Sequence, residues 1–284
     1  QESNFSAQIQ SAFAALRRIV EILDEEEVVT AENPVSLPAF SGNVTFEHVK
    51  FGYHKNKTII HDLNLEVKCG ETVAIVGPTG AGKSTIINLL LRFYDVDGGR
   101  ILMDGVDIRE MDREELRSNI AMVLQDTWLF HGSIYDNLKY GRLDARRDEV
   151  IGAAKMANVH HFIKTLPKGY DMIVNEEASN ISQGEKQLLT IARAILKQPK
   201  ILILDEATSS VDTRLEKMLQ EAMTNVMQNR TSFVIAHRLS TIRNADKILV
   251  LDHGDVVEQG RHEELLAKGG FYARLYNSQF ASQE

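Results

Sequence analysis

Cysteine, positive charge and long apolar runs are all scarce in this chain of 284 residues. Its one cysteine, Cys69, cannot close an internal disulfide, so the fold must rest on an apolar core, and the thiol suits a reducing compartment. Nowhere do about 18 apolar residues run together, which excludes a membrane-spanning helix within this sequence. No charged-then-apolar leader opens it either. Lys and Arg number 32 against 40 Asp and Glu, a formal charge of −8 with a pI near 5.7. That balance argues against a surface built to neutralise a nucleic-acid backbone, and no nucleic-acid partner is expected. Repeats and low-complexity stretches are lacking as well. What is present, 43% hydrophobic and 25% charged residues, is the composition of a globular protein with ample core. The chain begins at Gln1 inside a helical pattern, so it is expected to be a piece of a longer polypeptide.

Residues 77–85 read Gly-Pro-Thr-Gly-Ala-Gly-Lys-Ser-Thr, directly after the apolar run Thr-Val-Ala-Ile-Val at 72–76. The spacing is G-x-x-x-x-G-K-[ST], a phosphate-binding loop. Gly77, Gly80 and Gly82 let the backbone turn so that successive N–H groups converge on one anion, with Pro78, Thr79 and Ala81 completing the cradle. The helix predicted over 86–93 adds its dipole. Lys83 brings a full charge to the β/γ-phosphates. The Ser84 hydroxyl is placed for Mg²⁺, and Thr85 ends the loop.

Apolar groups at Phe5, Ile9, Phe13, Leu16, Ile19 and Leu23 fall in steps of three and four, one helical stripe. Residues 30–42, with Pro34 and Pro38, read as a linker. Alternation predicts strands over 44–49, 63–67, 72–76 and 100–103, the last closed by the Asp104-Gly105 turn. Between about 112 and 199 the period becomes helical, with a capping box at Ser133 and helices over 148–157, 159–166 and 183–197. Short apolar runs at 201–204, 232–236 and 247–251 read as strands buried on both faces. Helices over 213–227 and 263–276 complete an α/β layer.

The run 201–204 ends in Asp205-Glu206, two carboxylates at the C-terminal edge of a parallel strand, where α/β proteins place ligands. Asp205 suits Mg²⁺, and Glu206 suits a general base on an attacking water.

Residues 77–85, Gln125, Ser182-Gln-Gly-Glu185, 201–206, Ser209-Ser-Val-Asp212 and His237 follow in an order and spacing that resembles the nucleotide-binding domain of ABC transporters, over about 44–280. The resemblance implies an α/β fold: a P-loop NTPase (RecA-like) core with an N-terminal antiparallel β subdomain and an inserted α-helical subdomain at about 112–199. It implies ATP and Mg²⁺ as cofactors, with Ser84, Gln125 and Asp205 toward the metal. Glu206, His237 and Gln125 take the catalytic roles, and Tyr53 matches the aromatic that stacks on adenine. Ser182 and Gly184 belong to the signature that faces a nucleotide held by the opposite domain of a head-to-tail dimer, and Asp212 to the loop at that interface. The usual signature is Leu-Ser-Gly-Gly-Gln; here Ile181, Gln183 and Glu185 depart from it, and Glu185 sets a carboxylate near the expected phosphate.

The same resemblance divides the chain into a connecting helix and linker at 1–41 and an ATPase domain at 42–284. It implies a fused membrane domain in the same polypeptide, a second ATPase domain from a different chain, and a place on the cytoplasmic face of the cell membrane in a multidrug-type exporter. A soluble ABC ATPase is the alternative. The segment 171–178 partly matches the exporter-specific stretch that meets the membrane domain. Trp128-Leu-Phe130 borders either a docking groove or the core. His160-His161 is no metal pair, since neighbours on a helix diverge by about 100°.

Overall fold

The computed structural model describes residues 34, 36, 40–78, 80–175, 178–206 and 212–283. The helix expected over 5–23, most of the linker, Thr79, Glu176 and residues 209–211 lie outside the described residues.

Two sheets carry the architecture. The first is antiparallel, in the order β2-β1-β4-β5. It comprises β1 (Val44–Phe51), β2 (Ile60–Val67), β4 (Gly98–Met103) and β5 (Val106–Asp107). The β4–β5 turn places Asp104 at φ 49° and Gly105 at φ 82°, the doubly left-handed geometry that an Asp-Gly pair favours. The second sheet runs β12-β11-β3-β10-β9-β6. It is made of β3 (Thr72–Val76), β6 (Ile120–Val123), β9 (Ile201–Asp205), β10 (Thr231–Ile235), β11 (Lys247–Asp252) and β12 (Asp255–Gly260). Its strands are parallel except β12, which pairs antiparallel with β11.

The apolar runs of β3 and β9 have a packing cause. Ile75 and Ile203 face a core shared with the antiparallel sheet, Leu202 and Leu204 face the helical side, and Ala74 and Val76 face a third cluster under the C-terminal helices. Each such fully buried Val, Leu or Ile side chain contributes about 1.5–3 kcal/mol, so burial on both faces holds these strands.

The helices are α1 (Lys83–Leu90), α2 (Arg113–Ser118), α3 (Ile134–Lys139), α4 (Arg147–Met156), α5 (His160–Thr165), α6 (Gln183–Lys197), α7 (Thr213–Met227), α8 (Leu239–Asn244), α9 (His262–Lys268) and α10 (Phe271–Gln279). Three expectations are corrected. The helical region expected over about 112–199 is interrupted after α2 by β6, the edge strand of the parallel sheet beside β9; beyond it α3 and α4 pack against α6, beside a two-stranded ribbon of Gly132–Ser133 and Ile173–Val174. The helix expected over 263–276 is two helices. Gly269 caps α9 in the left-handed region at φ 63°, which only a residue without Cβ adopts freely. Helix α1 begins at Lys83 and ends at Leu90, ahead of Arg92 at φ 56°.

The strand order puts the ends of β6, β9, β10 and β3 side by side. Ile235 pairs with both Ile75 and Asp205, and Leu204 with Val123. Gln125, Asp205, His237 and Gly77 therefore leave the same sheet edge.

Candidate functional site

The phosphate loop is built by close approach. A Cβ on Gly77 would meet the Leu251 carbonyl oxygen at 2.6 Å, and Gly82, at φ 88°, passes the Gly254 Cα so closely that a Cβ would lie 3.0 Å from it. Gly80, at φ 82°, faces open space, so its glycine serves conformation alone. The Gly254 N–H donates to the Ala81 carbonyl at 2.7 Å, and the β11–β12 turn thereby braces the loop. No side chain caps the N-terminus of α1, which leaves its N–H groups facing a prospective anion. Lys83 Nζ donates to the Gly77 carbonyl at 3.1 Å. Burial holds this amine below its ordinary value, and Asp205 partly opposes that. Ser84 is exposed. The Tyr53 hydroxyl donates to Thr85 Oγ1 and accepts from Asn88 Nδ2, both at 3.1 Å, while its ring meets Phe51 and Tyr94 edge-on. Tyr53 is thus held beside α1 with 37% of its surface exposed.

Across the sheet edge, Gln125 Nε2 donates to Asp205 Oδ1 at 3.3 Å and to the Glu206 main-chain carbonyl at 2.7 Å. Burial pushes the Asp205 carboxyl above its ordinary range, while His237, Lys83 and the Gln125 hydrogen bond pull it back. His237 Nε2 lies 3.8 Å from Asp205 Oδ1. Burial and Lys83 keep the imidazole below its usual value, against Asp205 and Glu206, so the ring is neutral near pH 7 and the contact is no ion pair. Asp205, Ser84 and the Gln125 amide oxygen are hard donors of the kind Mg²⁺ takes. Among the described residues no cluster of three or more His, Cys, Asp or Glu could hold a metal by itself.

Glu206 is almost fully buried, and its carboxylate is engaged. Oε1 accepts from the His237 and Arg238 N–H groups at 2.9 and 3.2 Å, and Oε2 accepts from Thr241 Oγ1 at 2.6 Å. Arg238 also bonds Glu216 in the first turn of α7. The residue expected to act as base therefore sits beside His237, but with its oxygens committed to the start of α8.

The signature residues are organised by their helix. Ser182 caps α6, its hydroxyl accepting from the Glu185 N–H while Glu185 Oε2 accepts from the Ser182 N–H, both at 3.3 Å. The carboxylate that sequence set near a phosphate is thus turned back into a capping box. Gln183 Nε2 reaches the Gln125 carbonyl and Thr127 Oγ1 at 3.4 Å. A Cβ on Gly184 would meet Leu215 Cδ2 at 2.2 Å, so this glycine also serves the α6–α7 contact. Asp212 caps α7, its Oδ1 accepting from Leu215 N at 2.8 Å.

Trp128 is 57% exposed. With Met122, Leu124 and Tyr140 it lines a groove of about 350 Å³, which resolves its placement away from the core. Sequence missed what holds this loop. Asn137, fully buried, bonds both main-chain groups of Phe130, and Arg193 donates to the carbonyls of Trp128 and Asn137. Burial brings the Arg193 guanidinium down to about 10. The one signal was a polar residue at 137 and a charged one at 193 on otherwise apolar helix faces.

The ABC transporter family model matches residues 60–209. The chain is 54% identical over 267 residues to a fatty acid ABC transporter ATP-binding/permease protein of Mycobacterium bovis, covering 94% of this chain and 42% of that one. It is 48% identical over 277 residues to ATP-binding cassette sub-family B member 6 of Xenopus tropicalis, covering 97% and 33%. A solved structure of a bacterial Atm1-family ABC exporter with ATP bound superposes with a TM-score of 0.82 at 46% identity, over 95% of this chain and 48% of that one. The chain spans less than half the length of these relatives.

Proposed function

The chain belongs to the ABC transporter family as its ATP-binding domain, and we propose that it hydrolyses Mg·ATP to drive export through a membrane domain in the same polypeptide. One observation carries this reading. Four strand ends that are scattered in sequence bring Lys83, Gln125, Asp205, Glu206 and His237 to a single edge of the parallel sheet.

The phosphates lie on the N–H groups of 77–85 with Lys83 at the β/γ oxygens, and Tyr53 offers a ring face to adenine. Ser84, Gln125 and Asp205 would hold Mg²⁺, which would supply positive charge against that developing on the transferring phosphoryl group. Glu206 accepts the proton of the attacking water, while His237, a neutral donor or acceptor, orients the γ-phosphate. For that step the Glu206 carboxylate must exchange at least one of its bonds to Thr241, His237 or Arg238 for water.

The membrane partner finds its seat in the groove at Trp128, Met122, Leu124 and Tyr140, an exposed apolar patch rimmed by Arg117 and Lys197. The relatives, being ATP-binding/permease proteins, favour this over a soluble ATPase. Among the described residues no helix is long and apolar enough to cross a membrane, and residues 1–41 serve as the connection. The domain works on the cytoplasmic face, paired head to tail with a second ATPase domain through Ser182, Gly184 and Asp212. Gln183 and Glu185, where the family has Gly and Gln, favour a different chain as that partner. Full ATPase activity from a homodimer of the longer polypeptide contradicts that last point.

Glu206→Gln tests the reaction. It keeps an acceptor for His237 N and Arg238 N but loses the base, so kcat falls about 10²–10⁴-fold with ATP affinity retained. A parent-like rate refutes the assignment.

A further inference from the structure

The segment His237–Leu239 carries the imidazole and also the N–H groups that hold Glu206, yet α8 has no side-chain cap of its own at Arg238. Its first N–H finds an acceptor far downstream. Gln283 Oε1 accepts from Leu239 N at 2.8 Å, and Gln283 Nε2 donates to the His237 carbonyl at 3.0 Å. One planar amide thus grips the main chain on both sides of Arg238. On its other side the Glu206 carboxylate grips His237 N and Arg238 N. The glutamine stands on a firm base: it ends the 3-10 turn Ala281–Gln283, its N–H donates to the Phe280 carbonyl, and Phe280 is buried in the same cluster as Leu239 and Ile242 of α8.

We propose that Gln283 is a positioning residue for His237 and Glu206, an inference that rests on the ATPase reading above. Its amide fixes the two backbone torsions of Arg238 that link the His237 ring to α8. Without it the His237 carbonyl turns to water at an exposed site, while the Leu239 N–H, at a part-buried one, regains water only in part, a modest cost to the fold. The imidazole and the Glu206 tether, however, lose their common reference. Substrate binding at 77–85 does not pass through Gln283, so its loss acts on turnover.

Gln283→Met, of equal length but without hydrogen bonds, is compared with the parent by steady-state ATPase kinetics and thermal melting. Positioning predicts that kcat falls about tenfold, within the range that a small misplacement of catalytic groups costs, with KM unchanged and the melting temperature lowered by a few degrees at most. Gln283→Glu, which keeps the acceptor for Leu239 N and loses the donor, falls between the two. An unchanged kcat overturns the proposal, as does a fall accompanied by a raised KM or one that merely tracks the melting temperature across the variants, which marks a merely structural role. Glu206→Gln runs alongside: a parent no faster than that variant overturns the ATPase reading itself, and the Gln283 proposal with it.

Discussion

Replacing Asn137 with leucine removes four hydrogen bonds at almost constant volume, and the cost follows from who loses a partner. Asn137 is fully buried. Its Oδ1 accepts from Phe130 N at 2.9 Å and Arg193 Nη2 at 3.2 Å, and its Nδ2 donates to the carbonyls of Phe130 and Ser133 at 3.1 and 3.0 Å. Ser133 is the N-cap of α3, so its carbonyl keeps an intrahelical donor. The two main-chain groups of Phe130 do not, and each orphaned group costs about 1–3 kcal/mol. Phe130 is only half-buried, and water relieves part of this. We expect a loss of about 2–4 kcal/mol, or roughly 5–15 °C in melting temperature at 2–4 °C per kcal/mol for a chain of this size. Asn137→Asp keeps both bonds at Oδ1 but sets its second carboxylate oxygen against the carbonyls of Phe130 and Ser133, so it brings no relief. The sole tryptophan, Trp128, stands on the loop concerned, so urea unfolding followed by its fluorescence reads the effect directly. A loss below about 1 kcal/mol for the leucine variant, at unchanged m-value, refutes the reasoning.

Two further outcomes follow from polar side chains away from the site. Ser232 is fully buried on β10, and its Oγ has no hydrogen-bond partner among the described residues, so Ser232→Ala is expected to raise stability by about 1 kcal/mol; a lower melting temperature contradicts it. His160 shares a 2.6 Å hydrogen bond with Tyr170, and burial together with Lys155 and Lys164 keeps its imidazole below the ordinary value of 6.5. Protonation therefore favours the unfolded chain, so this contribution is fully present above pH 6.5 and is lost as pH falls through and below it. Between about pH 7.5 and 5.5 the parent should lose more melting temperature than His160→Gln, and parallel pH profiles refute this.

Much of the site was legible because its parts are contiguous. The loop at 77–85 needs left-handed turns at Gly80 and Gly82, followed by a helix start, and both are written in neighbouring residues. The runs 201–204 and 232–236 announce strands buried on both faces, and the carboxylates after one of them and the histidine after the other leave one edge of the sheet. Where the reading slipped, a local signal met a tertiary one. Apolar spacing ran on through 263–276, but Gly269 ends the first helix. The edge strand β12 was missed because its pattern, half-exposed and charged, resembles a loop until Lys247–Asp252 pairs with it.

The amino-acid sequence by itself determined which groups are available: a phosphate cradle, two carboxylates, a histidine and a capped signature helix. Each is set by residues within a turn or two of one another, where backbone geometry is a local property. Only the tertiary structure decided what those groups touch. The order β3-β10-β9-β6 is not the order of the chain, and it alone makes neighbours of Gly77, His237, Asp205 and Gln125. It also commits the Glu206 oxygens to the start of α8 and brings Gln283 to the backbone of His237. Such hydrogen bonds depend on distance in space, and spacing along the chain carries no record of it.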